Sequence, residues 1–467
     1  MTYRTSHKKP QVHDMDFDLI VIGSGSGGGV ASHMATAKGK RVAIVEQEKI
    51  GGECPNYGCV PTKAILQAAE TYKVIKHAHN FGINVDKVSV DFPAIKKWKD
   101  QAVKNTGTEE GLSAYTADGI KVITGHAHFI NPWTISVNGK RYKSHHFLIA
   151  TGTHDLVPPI PGLKETGYIG YRQALDLSQP PKKLCIIGGG AIGSEFTHYF
   201  STFGTEVHLM EFAERLIVKE DLEMGELLEA IFEHNGVKVH TGSKVVKVEK
   251  KGNQKVVTFE HLGKLQSITV DEILLAAGKV PNTDLGLENA GVEYDPRRGI
   301  KVNAMMQTTN PHIYAAGDVV GGYMFTHVAS YQSRIVGHNL FSTLKHIADY
   351  RAVPRCVFVD PEFASVGVSE QELKSKGVKY QSAIIPTSLI GRANTSQEDT
   401  GFVKILADKK GRVLGGSIVA PRAGEMIQEL TLAVQWRMKA SKLDYTMHAY
   451  PTWSQAVRIC ASKIVCR

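Results

Sequence analysis

Two glycine-rich strand-to-helix turns constrain what this chain can fold into more than any other feature. The apolar run FDLIVI, Phe17–Ile22, leads at once into Gly23-Ser-Gly25-Ser-Gly27-Gly28 and then into a helix-compatible stretch over 30–37. The same order returns further on: LCII at 184–187, then Gly188-Gly-Gly190-Ala-Ile-Gly193, then a helical stretch to about Phe203. Each turn is followed by a second apolar strand ending in a glutamate, Glu46 or Glu211, 23 positions after the first glycine of its motif. A chain that carries this pattern twice is expected to be α/β, with two Rossmann-like units.

Each glycine has a separate reason. Gly23 and Gly188 permit the tight turn, Gly25 and Gly190 let the backbone approach a pyrophosphate, and Gly28 and Gly193 let helix and strand pack closely. The helix then presents its positive end to the phosphates. Glu46 and Glu211 stand where a carboxylate accepts from a ribose hydroxyl. A glutamate there favours a free 2′-hydroxyl and repels a 2′-phosphate, so the second site reads as one for NADH, although Arg215 lies close enough to offer a phosphate a partner.

Between the two turns the pattern predicts helices from Lys63 to about His77 and from Ala94 to about Tyr115. A β-meander follows, with a hairpin turn at Asn138-Gly139 and a close on FLIATG at 147–152. Pro158, Pro159 and Pro161 mark a boundary. The segments ILLAAGKVPN and HIYAAGDV read as strands, and from Arg355 onward alternating strands and an apolar helix over 425–438 suggest a separate α+β unit. The expected domains are a first nucleotide-binding part over 1–155, a second nucleotide domain over 156–277, a central segment over 278–350 completing the first, and a C-terminal α+β domain over 351–467.

Composition narrows the function. The net charge of +9 comes from scattered Lys and Arg, with no basic run, so nucleic acid is not an expected partner; a modest pull on anionic substrates is. No stretch reaches the ~18 apolar residues of a membrane helix and none resembles a signal peptide, so the expected compartment is the cytoplasm, with no membrane partner. Six cysteines in a reducing compartment argue for catalytic or buried thiols over a disulfide framework. Cys54 and Cys59, in GGECPNYGCVPTK, stand out. No zinc-like spacing surrounds the paired histidines His126/His128 and His145/His146, and no structural metal is expected.

A glycine motif, a Cys-x4-Cys pair, a second glycine motif, the ATG turn and the AAGDV segment, in this order, resemble the flavoprotein disulfide reductases of the pyridine-nucleotide class, which include dihydrolipoamide dehydrogenase, glutathione reductase and mercuric reductase. The likeness covers residues 16 to 456. It implies FAD at the first site, with Gly52, Thr151, Gly152 and Gly278 lining the cofactor sites and Asp318 on the flavin ribitol. It implies NAD(H) at the second site, and a homodimer whose C-terminal segment completes the partner's active site. Cys59 would be the thiolate against the flavin and Cys54 the outer thiol that attacks substrate. Lys63 would lie beside the flavin, ion-paired to Glu195. Lys279 stands where the family more often has arginine, which keeps the charge and loses bidentate geometry.

The likeness breaks in HAYPTWSQ, 448–455. Disulfide-reducing members have a histidine before the proline and a glutamate five residues later; here those positions are Tyr450 and Gln455. Tyrosine is a poor base near neutral pH, and losing a proton-transfer catalyst costs roughly 10²- to 10⁴-fold toward ordinary disulfides. A tyrosine at this place resembles mercuric reductase, whose metal substrate moves between thiolates without a proton for a leaving sulfur; thiolates select soft ions such as Hg(II) and Cu(I). The vicinal cysteines of mercuric reductase are replaced by Cys460 and Cys466, about 240° apart on a helix. Cys460 reads as a small buried residue, and Cys466 as an exposed thiol able to carry substrate metal together with Cys54 and Cys59. His448 is the candidate substitute base, since residues two apart in an extended segment share a face. The expected function is transfer of electrons from NADH through FAD to the Cys54–Cys59 pair and on to a thiol, disulfide or thiol-bound soft metal. The alternatives are dihydrolipoamide dehydrogenase and, from another class, a flavin redox sensor or scaffold.

Overall fold

The computed structural model describes residues 14–106 and 111–465, so Cys466 lies outside the described residues. The chain forms two compact units, each assembled from three segments: residues 1–61, 99–156 and 279–349 in one, and 62–98, 157–278 and 350–467 in the other. The expected α/β architecture is present.

The first unit is built on a seven-stranded sheet in the order Lys121–Thr124, Val42–Glu46, Phe17–Ile22, Lys140–Ile149, Thr134–Val137, Ala127–Asn131, with Ile313–Ala315 added alongside Lys140–Ile149. Strand Phe17–Ile22 is parallel to both neighbours, with Ile22 opposite Val45 and Ile149. It reads as an unbroken apolar run because both its faces are covered; Leu19, Ile20 and Val21 are fully buried. The ten-residue strand Lys140–Ile149 changes partners at Ser144, pairing antiparallel with the hairpin before it and parallel with Phe17–Ile22 after it. The Asn138-Gly139 hairpin has φ of 50° and 79° at its two turn residues, the left-handed pair that matches strand twist. Helix Ser26–Thr36 crosses Thr326–Leu340 closely. A methyl on Gly337 would stand 3.1 Å from the Ala31 Cα, and the Ser333 hydroxyl accepts from the Ala31 N–H at 3.0 Å.

In the second unit a parallel sheet runs in the order Lys238–His240, Glu206–Met210, Lys183–Ile187, Glu272–Leu275. A separate meander covers Ser243–Lys251, Gln254–His261 and Lys264–Val270. A five-stranded antiparallel sheet is ordered Pro354–Val357, Glu362–Gly367, Val413–Ala420, Phe402–Asp408, Tyr380–Pro386. Helices Ala423–Gln435 and Gln455–Val465 contribute Ile427, Leu430, Val457 and Cys460 to the same buried cluster as Val403, Ile405 and Ile418 of that sheet.

Two helices differ from the sequence expectation. The first begins earlier, as Cys59–Lys76, because Pro61 suits a first helical turn, where its missing N–H costs nothing. The second is two helices, Phe92–Asn105 and Gly111–Ala117. Asp91 caps the former by accepting the Ala94 N–H at 3.0 Å, and Thr106 bonds back to the Val103 carbonyl at 2.6 Å where it ends. Residues 107–110 lie outside the described residues.

Candidate active site: two nucleotide turns and a dithiol

The two glycine turns are near replicas. Gly23 and Gly188 have φ of 105° and 115°, and a Cβ on them would overlap the Ala150 and Ala276 carbonyls respectively. A Cβ on Gly28 or Gly193 would overlap the carbonyl oxygen of Gly23 or Gly188. Helices Ser26–Thr36 and Ala191–Thr202 start at Gly25 and Gly190, with no side chain bonded to the first-turn N–H groups and no acid in the first turn. Apart from the Gly28 N–H, which donates to the Gly25 carbonyl at 2.9 Å, these groups are oriented toward an anion. A Cβ on Gly190 would meet nothing within 4 Å, so the space over that turn is open.

The strand-end glutamates are held alike. Glu211 accepts from the Gly189 N–H at 2.6 Å and the Ala213 N–H at 2.7 Å. Glu46 accepts from the Ser24 N–H and hydroxyl at 2.9 and 2.7 Å and from the Glu48 N–H at 2.9 Å. A carboxylate has about four acceptor positions, which leaves about two on Glu211 and about one on Glu46 for a ribose. Arg215 is turned inward: its Nη2 donates to the Val218 carbonyl at 2.6 Å and the Glu220 carbonyl at 3.1 Å. Glycine cradle, uncapped helix start and oriented carboxylate together fit a dinucleotide at each turn.

Cys54 lies on the one-turn helix Glu53–Asn56, and Cys59 opens helix Cys59–Lys76. The loop before them is fixed by glycine. Gly51 and Gly52 have φ of 94° and 71°, and a Cβ on Gly52 would stand 2.7 Å from the Gly25 Cα, so this loop abuts the first phosphate turn. Asn56 Nδ2 donates to the carbonyls of Ile50 and Gly52 at 2.9 and 2.8 Å and holds the turn shut. Cys59 is exposed and Cys54 half-buried. The Cys54 thiol is pushed up, first by its hydrogen bond to the Cys59 sulfur, then by burial and by the negative charge of Cys59, with the Thr326 hydroxyl opposing. Cys54 therefore holds its proton more tightly than an ordinary thiol, and Cys59 stands at the positive start of an 18-residue helix. Thr326 Oγ1 lies 3.4 Å from the Cys59 sulfur.

Asp318 opens a short 3₁₀ turn after Gly317, whose N–H donates to Gln332 Oε1 at 2.7 Å. Burial raises the Asp318 carboxyl to about 6; Lys279 opposes, and Cys59 and Glu53 add to the rise. Lys279 is ion-paired to Asp155 at 2.8 Å. Thr151 and Asn282 strap the ATG turn, with Thr151 Oγ1 donating to the Asn282 carbonyl at 2.7 Å and Asn282 Nδ2 to the Thr151 carbonyl at 2.8 Å. Gly152 and Gly278 take φ of 65° and 120°. One turn beyond Cys59, Lys63 Nζ donates to both Glu195 oxygens at 2.9 and 2.7 Å. Sequence reasoning missed Thr326, Gln332, Asn282 and Asn56, whose polar side chains follow no pattern that marks them before folding.

The C-terminal segment departs from expectation at His448. Its side chain is 6 % exposed, with Nε2 2.7 Å from Glu429 Oε1 and Nδ1 2.8 Å from the Thr446 carbonyl. Tyr450 is 75 % exposed, so the two do not share a face. The segment forms no ladder and bends into the cis Tyr450–Pro451 bond, so strand alternation does not apply. Gln455 is the first residue of helix Gln455–Val465. Cys460 is fully buried, its thiol donating to the Val403 and Ala383 carbonyls at 3.3 and 3.4 Å, and burial raises it to about 12. Among the described residues no group of three metal-ligating side chains occurs, and no helix is long and apolar enough to cross a membrane.

Two dinucleotide turns and a dithiol at a helix start define a nucleotide-dependent flavoprotein oxidoreductase acting on a sulfur group. The chain belongs to the pyridine nucleotide-disulphide oxidoreductases: residues 17–333 match that family's model, and residues 353–460 match its dimerisation domain, which indicates a homodimer. The family uses FAD and NAD(H). The chain is 36% identical to a mercuric reductase of Staphylococcus aureus, over 96% of this chain and 82% of that protein. It is 37% identical to a dihydrolipoyl dehydrogenase of Thermus scotoductus, over 94% of this chain and 96% of that protein. Among solved structures it resembles the Cu(II) complex of the HOCl-induced flavoprotein disulfide reductase RclA from Escherichia coli, with a TM-score of 0.86 and 29% identity over 96% and 99% of the two chains.

Proposed function

We propose that this oxidoreductase passes electrons from NADH to a soft metal ion held by thiolates, and turns over ordinary disulfides poorly. The observation that carries this reading is the pair Tyr450 and Gln455, together with the burial of His448 against Glu429: the segment 448–455 offers no imidazole to a substrate sulfur. A disulfide needs a proton for its leaving sulfur, whereas a metal ion passed between thiolates does not. The mercuric reductases among the relatives and the copper complex among the neighbours point the same way, and the dihydrolipoyl dehydrogenases point to the rival.

In this reading residues 1–155 and 278–350 hold FAD, 156–277 hold NADH, and 351–467 form the interface through which the partner subunit's C-terminal segment completes the site. When bound, FAD relays the electron pair from NADH to the Cys54–Cys59 disulfide. Gly23, Gly25, Gly28, Glu46, Gly52, Thr151, Gly152 and Asp318 hold the flavin nucleotide; Gly188, Gly190, Gly193, Glu211 and Gly278 hold NADH. Lys63, fixed by Glu195, keeps a positive charge beside the flavin. Cys59 carries the thiolate on the flavin side, and Cys54 binds the incoming ion, with Tyr450 as a further ligand or donor and Cys466 as a relay thiol. A protein with working thiols of this kind belongs in the cytoplasm.

The test follows anaerobic NADH oxidation with lipoamide and, in parallel, with Hg(II) buffered by excess small thiol. Turnover with Hg(II) that is at least about 10²-fold above that with lipoamide is expected. Fast lipoamide turnover sinks the reading in favour of dihydrolipoamide dehydrogenase. Full flavin reduction with negligible turnover of either acceptor points to a redox sensor or scaffold.

A further inference from the structure

Phe358 stands in the segment between strands Pro354–Val357 and Glu362–Gly367. It touches the Lys63–Glu195 pair twice: its main-chain N–H donates to Glu195 Oε1 at 3.1 Å, and its ring face lies 4.3 Å from Lys63 Nζ. The Glu195 side chain is 7 % exposed and that of Lys63 is 35 % exposed, so the ammonium is partly in water while its carboxylate partner is not. Two residues on, Asp360 accepts from Lys73 Nζ at 2.6 Å, on the same helix as Lys63. The segment is thereby fastened to helix Ala191–Thr202 through the Phe358 N–H and to helix Cys59–Lys76 through Asp360. We propose that Phe358 is the positioning residue for Lys63, holding Glu195 through its main chain and the ammonium through its ring.

A lysine ends four rotatable bonds from its backbone, and a carboxylate alone lets the ammonium swing about either oxygen. A ring face adds a third contact with its own direction, since the quadrupole attracts a cation along the ring normal. Carboxylate and ring together leave the ammonium one place. The N–H contact to Glu195 survives any substitution at 358 other than proline, so replacing the side chain isolates the ring's part. Leucine keeps apolar volume without a π face, and tyrosine keeps the face.

The inference rests on the reading that places Lys63 beside the flavin, and the two are tested separately. In the flavin-bound protein at mildly alkaline pH, acylation of Lys63 by a small activated ester is followed by mass spectrometry. Phe358→Leu is expected to raise the Lys63 labelling rate about three- to five-fold, in line with one lost cation–π contact, and Phe358→Tyr to leave it unchanged. Equal labelling in Phe358→Leu and the parent overturns the proposal, as does equal acceleration by Tyr. The midpoint potential of the bound flavin is measured in the same proteins and in Lys63→Met. A more negative potential in Lys63→Met, matched in part by Phe358→Leu, supports both readings. A potential unmoved in Lys63→Met, with labelling still raised in Phe358→Leu, removes Lys63 from the flavin and leaves the clamp standing.

Discussion

Asp318 is a residue whose burial costs the protein something. Its carboxyl is raised from 3.8 to about 6, first by burial. For an acid raised in this way, the native state is favoured while the group is protonated, and loses that advantage as pH rises from 3.8 through about 6. Asp318→Asn removes this dependence. We expect the flavin-free variant to melt higher than the parent above about pH 6 and equally below about pH 4 in pH-resolved thermal denaturation, while the variant retains flavin more weakly on gel filtration. Tyr450 and Gln455 make a second prediction. The double change Tyr450→His with Gln455→Glu is expected to raise lipoamide turnover by about 10²-fold, with a new pH dependence near the imidazole range. The glutamates at 46 and 211 were legible because strand, turn and spacing all point at them. The contact of the His448 ring with Glu429, on helix Ala423–Gln435, was not legible in the sequence, because nothing in the local pattern brings the two together.

At the scale of elements, the two turn glycines of the second motif separate ligand from fold. Gly190 faces open space, so Gly190→Ala is expected to change thermal stability by less than about 0.5 kcal/mol and to weaken NADH binding markedly in fluorescence titration. Gly193→Ala drives a methyl into the Gly188 carbonyl and is expected to cost about 2 kcal/mol or more. If both variants lose stability alike, the account of the open turn is wrong. Strands Phe17–Ile22 and Lys183–Ile187, the hairpin at Asn138-Gly139 and the strands after Arg355 were readable because period, β-branched content and turn chemistry agree there.

At the scale of the molecule, the second unit contains an ionic cluster with a fully buried cation. The Lys404 side chain is 1 % exposed and donates to Glu223 at 2.8 and 2.9 Å and to Glu370 at 2.6 Å, with Asp221 at 3.8 Å. It ties the start of helix Leu222–His234 to the sheet of 354–420. Removing one partner of such a cluster leaves the others uncompensated, so Lys404→Met is expected to cost about 3–5 kcal/mol in denaturant titration. Glu370 is drawn down from 4.5 to about 2: burial opposes this, and the hydrogen bonds from Lys404 and Tyr380 and the Lys404 charge outweigh it. An acid lowered in this way stabilises the fold above about pH 4.5 and loses that contribution as pH falls toward about 2. The stability of Lys404→Met in denaturant titration is therefore expected to depend less on pH in this window than that of the parent.

The sequence alone determined both nucleotide turns with their carboxylates and the dithiol, because each depends on residues close together in the chain whose spacing is its own geometry. Tertiary structure decided what depends on distant residues meeting: the Thr326 hydroxyl on Cys59, the Phe358 ring on Lys63, the engagement of His448 by Glu429 and the burial of Lys404 among acids. These contacts join positions as far apart in the chain as Lys63 and Phe358. No local periodicity encodes them, since they arise only once two cores have closed and each buried polar group has to find a partner.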